Sequence, residues 1–194
     1  PKAGNDIGMA SSPVVVGETV VVQIENQGDS FAAGIDVATG ETRWRVDRDR
    51  RANWVSPIAM PGKREGSRVV LLQSGSGLTA HDSMTGEELW RYDVPCSTTP
   101  SVAVSEDHIF IPANGLTVLK LAPDATVPSL AWDSSQLSPS PASPIVVGDR
   151  VYTMNSSGVL SCGDVATGDR LWQLRVGGKY WSTPVVAGDR MYCI

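Results

Sequence analysis

Residues 36–44 read Asp-Val-Ala-Thr-Gly-Glu-Thr-Arg-Trp, residues 82–90 read Asp-Ser-Met-Thr-Gly-Glu-Glu-Leu-Trp, and residues 164–172 read Asp-Val-Ala-Thr-Gly-Asp-Arg-Leu-Trp. The shared positions are Asp36, Thr39, Gly40 and Trp44; Asp82, Thr85, Gly86 and Trp90; and Asp164, Thr167, Gly168 and Trp172. A short carboxylate at the head of a tight turn accepts hydrogen bonds from the amides two and three residues on, Thr adds a second local cap, and Gly supplies the positive φ that closes the turn. The Trp then falls on the strand leaving the turn. There an indole fills the space between one twisted sheet and the next while its N–H finds a backbone carbonyl.

A second marker runs in phase with the first. A Ser/Thr-Pro step followed by an apolar strand recurs at Pro13, Pro57, Pro100, Pro144 and Pro184, at spacings of 44, 43, 44 and 40. The third unit keeps Trp132 but carries Leu121 where the Asp is expected and has no Thr-Gly, so it reads as a diverged copy. Each unit divides into four short strands separated by turn residues, and no window sustains a helical period. A period of this length with four strands per unit predicts an all-β chain, a β-propeller of four-stranded antiparallel blades. The expected blades are 11–54, 55–98, 99–142 and 143–182, with the start of a fifth at 183–194, all within one partial propeller domain spanning 1–194.

The string Asp-x-x-Thr-Gly-x-x-x-Trp, together with the Ser12-Pro-x-Val-x-Gly17 start, resembles the pyrroloquinoline-quinone-like repeat family. Its members include quinoprotein dehydrogenases and the outer-membrane assembly lipoprotein propeller. The resemblance covers nearly the whole chain. It implies a closed ring of seven or eight blades, hence a native protein about twice this length, and both ends read as cut out of a longer chain. It also implies that the inter-blade loops and the loops between second and third strands line one face. Those inter-blade loops are Arg48–Ser56, Val94–Thr99, Ser134–Ser143 and Gly177–Thr183, and two of them place a Trp three residues before the Pro. Trp54 and Trp181, with Asn53, Lys179 and Tyr180, are therefore the candidate ligand-binding residues, since aromatic side chains near a channel mouth give large contact area at small entropic cost. The plainer alternative is that they pack the space between blades.

Other residues point to packing or solvation. Arg43, Arg45, Arg48, Arg50 and Arg51 alternate with Asp47 and Asp49, which predicts a self-paired strand end, and Gly62-Lys-Arg-Glu-Gly66 reads as a charged hairpin tip. His81 and His108 stand in no catalytic or metal-ligand pattern, and the glycines of Gln73-Ser-Gly-Ser-Gly77 precede no helix that would organise a phosphate site. Cys96, Cys162 and Cys193 form no Cys-x-x-Cys pair and are expected to be buried or free thiols. No catalytic residue, metal site or cofactor is predicted. Sixteen basic against 21 acidic side chains, a net charge of −5, disfavour a nucleic-acid partner, and no stretch is apolar enough to insert into a membrane.

The expected function is a non-catalytic scaffold, in the bacterial cell envelope or secreted, that binds a protein partner or small ligand at the propeller face. One alternative is a fragment of a quinoprotein dehydrogenase, in which pyrroloquinoline quinone and calcium would lie in the channel. Against it, the chain lacks the adjacent Cys-Cys pair of the alcohol-oxidising relatives. A further alternative is the sensor ectodomain of a membrane kinase.

Overall fold

The computed structural model describes residues 11–61, 68–122 and 125–194; the Gly62–Gly66 loop lies outside the described residues. The described chain is all-β and is built from consecutive antiparallel sheets, each a meander in chain order. The first holds β1 (Val14–Val16), β2 (Thr19–Ile24), β3 (Phe31–Asp36) and β4 (Thr42–Asp47). The second holds β5 (Ile58–Pro61), β6 (Arg68–Ser74), β7 (Gly77–Asp82) and β8 (Glu88–Tyr92). The third comprises β9 (Ala103–Ser105), β10 (His108–Ile111), β11 (Leu116–Lys120) and β12 (Ser129–Ser134), and the fourth β13 (Ile145–Val147), β14 (Arg150–Met154), β15 (Val159–Asp164) and β16 (Arg170–Arg175). A two-stranded sheet, β17 (Val185–Ala187) with β18 (Arg190–Tyr192), follows. These are the blades of a partial propeller. The chain divides into two compact units at Thr98/Thr99, the first carrying two blades and the second the remainder.

The repeated turn has the hydrogen bonds its residues dictate. Asp36 Oδ1 accepts from the amides of Ala38 and Thr39, each at 2.8 Å, and the Gly40 amide donates to the Asp36 carbonyl at 2.9 Å. Asp82 and Asp164 repeat this with Met84 and Thr85, and with Ala166 and Thr167. The hydroxyls of Thr39, Thr85 and Thr167 each accept from the amide two residues on at 3.2 Å. Gly40, Gly86 and Gly168 have φ of 74°, 76° and 77°, where a Cβ would be strained. Just beyond each turn the third and fourth strands shift register by a bulge, at Gly34/Ile35, Ala80/His81 and Cys162/Gly163. The third blade keeps the bulge, at Val118/Leu119, but Lys120, not Leu121 as the sequence spacing predicts, pairs with the second strand where Asp36, Asp82 and Asp164 do. Leu121 is the next residue and donates its amide to the Asp107 carbonyl, as Val37, Ser83 and Val165 do to Glu18, Arg68 and Asp149. Divergence removed the turn's side chains and left its register intact.

The indoles join blade to blade. Trp44 Nε1 donates to the Ser83 carbonyl at 2.9 Å, and Trp132 Nε1 to the Val165 carbonyl at 2.8 Å. In both cases the acceptor is the residue after the turn Asp of the next blade, and the turn glycine, Gly86 or Gly168, lies flat on the ring. Trp44 packs with Val21, Ala32, Val70 and Leu72, and Trp132 with Phe110, Leu116, Val118, Leu137 and Val151. Trp90 is likewise buried.

Trp172 departs from the expectation of burial. It is 45% exposed and meets Tyr152 at 5.9 Å between ring centroids. In the first and third blades the corresponding indole donates to the third-to-fourth strand turn of the following blade; the strands described after β16 are β17 and β18.

The Ser/Thr-Pro steps also carry a contact between blades. Ser12 N donates to Ser56 Oγ at 2.9 Å, Ser101 N to Ser143 Oγ at 3.0 Å, and Ser143 N to Thr183 Oγ1 at 3.0 Å. The hydroxyl before each of these prolines thus accepts a backbone N–H from the start of the preceding blade.

Candidate functional site

In the first unit, the inter-blade segment Arg48–Ser56 is tied down by a buried polar network. Glu25, which follows β2, is almost fully buried and accepts from Arg48 Nε at 2.8 Å, Gln23 Nε2 at 2.9 Å and Asn53 Nδ2 at 2.9 Å. Asn53 Nδ2 also donates to the Gln73 carbonyl at 2.8 Å, and Gln73 Nε2 donates to the Ser97 carbonyl at 2.6 Å. A buried carboxylate is tolerable only when paired and hydrogen-bonded, and this one has both. Asn53 is therefore buried, with its amide committed to holding the loop. Trp54, next in the chain, is part-exposed, and its backbone N–H donates to the Thr98 carbonyl at 2.9 Å.

In the second unit, Gly177 and Gly178 have φ of 78° and 81° and turn the chain after β16. Lys179 is exposed. Tyr180 packs against the cluster of Ala142, Met154 and Leu160, which anchors the loop, and Trp181 projects from it with 73% of its surface in solvent. Asn53 and Trp54 thus lie together in one unit, and Lys179, Tyr180 and Trp181 in the other. Ser140, in the segment before β13, bridges to Asn155 and donates its amide to the Met154 carbonyl, so here too an inter-blade segment is knitted to the loop between second and third strands.

The arginine run pairs differently from the sequence expectation. Arg43 pairs with Asp36, Arg45 with Asp29 while lying 3.8 Å over the Phe31 ring, and Arg48 with Glu25. The carboxylates they meet stand at the end of β3, in the loop before it and after β2, rather than at Asp47 and Asp49 of their own strand end.

A cleft of about 320 Å³ runs between the end of β4 and the β7–β8 hairpin, lined by Asp47, Arg48, Asp49, His81, Arg91 and Asp93 among others. Arg91 pairs with Glu88 at 2.6 Å, and this pairing holds Glu88 below the usual carboxylate range. His81 is buried, with Nδ1 3.0 Å from the Gly86 carbonyl and Nε2 3.0 Å from Thr79 Oγ1. Burial pushes its imidazole below the ordinary range against the opposing pull of that carbonyl. The three cysteines are free thiols; burial pushes Cys96 up to about 12, and Cys162 and Cys193 upward. Among the described residues no group of three or more His, Cys, Asp or Glu side chains is placed to hold a metal ion, and no helix is long and apolar enough to cross a membrane.

The model of the family described as outer membrane protein assembly factor BamB matches residues 5–110 and 120–194. The chain belongs to this family. Among solved structures, BamB from Moraxella catarrhalis shares the fold at a TM-score of 0.54 and 16% identity, over 93% of this chain and 65% of that one. The computationally designed Ika8 protein matches at a TM-score of 0.63 and 11% identity, over 93% of this chain and 54% of its own. A search of curated proteins found no match. The BamB family chain described here therefore spans less than two thirds of either solved structure. Likeness to a computationally designed protein at this level shows that the repeat specifies an architecture; the residues that distinguish one propeller's task from another's lie in the loops.

Proposed function

We propose that this chain is part of a non-catalytic propeller that serves as a docking scaffold for a protein partner in outer-membrane protein assembly, in the cell envelope. The observation that carries this reading is the family match, which extends across both compact units and so is not the property of a single repeat. The contact residues are Trp181, Lys179 and Tyr180 in one loop and Trp54 in another, with Asn53 holding the second loop in place. Several features favour this. Trp181 offers a large aromatic surface to solvent on a loop that Tyr180 fixes, so little entropy is lost when a partner covers it. Inter-blade contacts through Trp44 and Trp132 make the framework beneath the loops rigid. The acidic net charge disfavours a nucleic-acid partner.

The test is calorimetric titration of the full-length protein with pyrroloquinoline quinone and calcium, followed by a dye-linked oxidation assay with alcohols and sugars. The scaffold reading predicts neither heat nor turnover. Tight binding with turnover would make the protein a quinoprotein and overturn it.

A further inference from the structure

Thr79 Oγ1 lies at the centre of three polar contacts within the first unit. His81 Nε2 is 3.0 Å away, Arg48 Nη1 3.0 Å and the Leu72 carbonyl 3.3 Å. The guanidinium can only donate and the carbonyl can only accept, whereas an imidazole nitrogen does either. His81 Nδ1 faces the Gly86 carbonyl, an acceptor, so Nδ1 carries a proton in every state of the ring. Neutral His81 then has a lone pair on Nε2, and the Thr79 hydroxyl donates to it. Protonated His81 donates from Nε2, and the hydroxyl turns to the Leu72 carbonyl. One added proton rotates one hydroxyl and leaves two cations, His81 and Arg48, donating to the same oxygen.

Both ends of this relay stand on the contact between the first two blades. Arg48, from the first blade, also donates to the Leu72 carbonyl of the second, and is held by Glu25 behind it. Gly86, whose carbonyl receives the His81 N–H, is the glycine on which the Trp44 indole lies. The charged groups facing His81 are Arg48 from the first blade and Glu88 and Arg91 on β8. Asp47, Asp49 and Asp93 line the same cleft from its exposed rim. Glu88 and Arg91 pair with one another, and Arg48 pairs with Glu25, so each arginine near the ring has its own carboxylate.

We propose that His81, Thr79 and Arg48 form a proton-responsive latch on the contact between the first two blades, engaged when His81 is neutral and loosened when it is protonated. The direction follows from linkage. Burial lowers the imidazole below its ordinary value of 6.5 in the fold, so the opened form binds the proton more tightly than the closed one. The latch is fully engaged above the ordinary value and weakens as pH falls from there towards the folded value.

The test uses the full chain and follows solvent exchange of the Trp44 indole N–H by NMR between pH 5 and 8, corrected for intrinsic exchange. The Trp132 indole serves as the control, since it makes the same contact but its blade partner has Gly163 where the second blade has His81. Opening at Trp44 is expected to rise about tenfold per pH unit within the window where opening takes up one proton, while Trp132 stays flat. His81→Gln should abolish the rise. Thr79→Val, which removes the acceptor for a protonated ring, should lower the His81 pKa further, and Thr79→Ser should restore it. A flat Trp44 response while the His81 ring titrates, an undiminished response in H81Q, or an unchanged His81 pKa in T79V would each overturn the latch.

Discussion

Replacing Trp132 by Ala tests the claim that one indole per blade fixes the next blade in place, and Trp172→Ala supplies the comparison inside the same compact unit. Trp132 is 8% exposed, donates to the Val165 carbonyl and meets Phe110 edge-on at 6.3 Å. Truncating a buried indole costs about 3–5 kcal/mol, and here it also leaves the Val165 carbonyl without its donor. Trp172, with nearly half its surface in solvent, has about half as much burial to lose, roughly 2 kcal/mol by area. For a chain of this size each kcal/mol moves the thermal midpoint by about 2–4 °C, so Trp132→Ala should lower it by about 6–20 °C and Trp172→Ala by about 4–8 °C. Trp132→Phe keeps most of the apolar surface and isolates the hydrogen bond, worth about 1 kcal/mol. Urea denaturation of the three variants gives the numbers directly. Equal losses at Trp132 and Trp172, or a Trp132→Ala loss below about 1 kcal/mol, would refute the burial argument.

Gly86→Ala should cost about 3 kcal/mol, because it combines the strain of a positive φ with a Cβ 2.7 Å from the Trp44 ring. Gly40→Ala, at nearly the same φ with nothing within 4 Å, should cost only about 1 kcal/mol; similar losses by denaturant titration would show that the ring contact is unimportant. Asp36 is held down to about 2, chiefly by its hydrogen bond with Arg43 and then by the Thr39 amide. Its folded pKa lies below its unfolded one, so its contribution is present above the ordinary value of 3.8 and disappears as pH falls towards about 2. The stability difference between the native chain and Asp36→Asn should therefore be constant from pH 5 to 7 and shrink in acid; a constant difference down to pH 2 would contradict this. Alkylation at pH 8 followed by peptide mapping should modify Cys96 last of the three thiols, since burial holds its pKa at about 12; rapid labelling there would contradict its burial.

The turn was legible because its chemistry is local. Asp, Thr and Gly act on amides within four residues, and the sequence shows all of them at once. The all-β architecture and the blade period followed from repetition. The exposure of Trp172 was not legible, because a ring's burial depends on a blade that comes later in the chain. The Glu25 network was hidden for a different reason: its members, Gln23, Glu25, Arg48, Asn53 and Gln73, are scattered and unpatterned. One signal for it was present. Along β2 and just past it, Thr19, Val21, Gln23 and Glu25 share the inward phase, and a charged residue on the buried phase of a strand calls for a partner. The serines and threonines before the prolines read only as a repeat marker, whereas the hydroxyls of Ser56, Ser143 and Thr183 bond to the preceding blade. Trp54 and Trp181 fell on inter-blade loops as expected from their spacing, but only the structure distinguishes the part-covered Trp54 from the projecting Trp181.

The measurement that addresses the scaffold reading most directly is photo-crosslinking in cells from the full-length protein, with a photoreactive amino acid in place of Trp181 and, as the comparison, in place of exposed Val15. The account predicts a discrete adduct from position 181, identified by mass spectrometry as a component of the machinery that assembles outer-membrane proteins, and none from position 15. Equal labelling from both positions, or no adduct from 181, would contradict it.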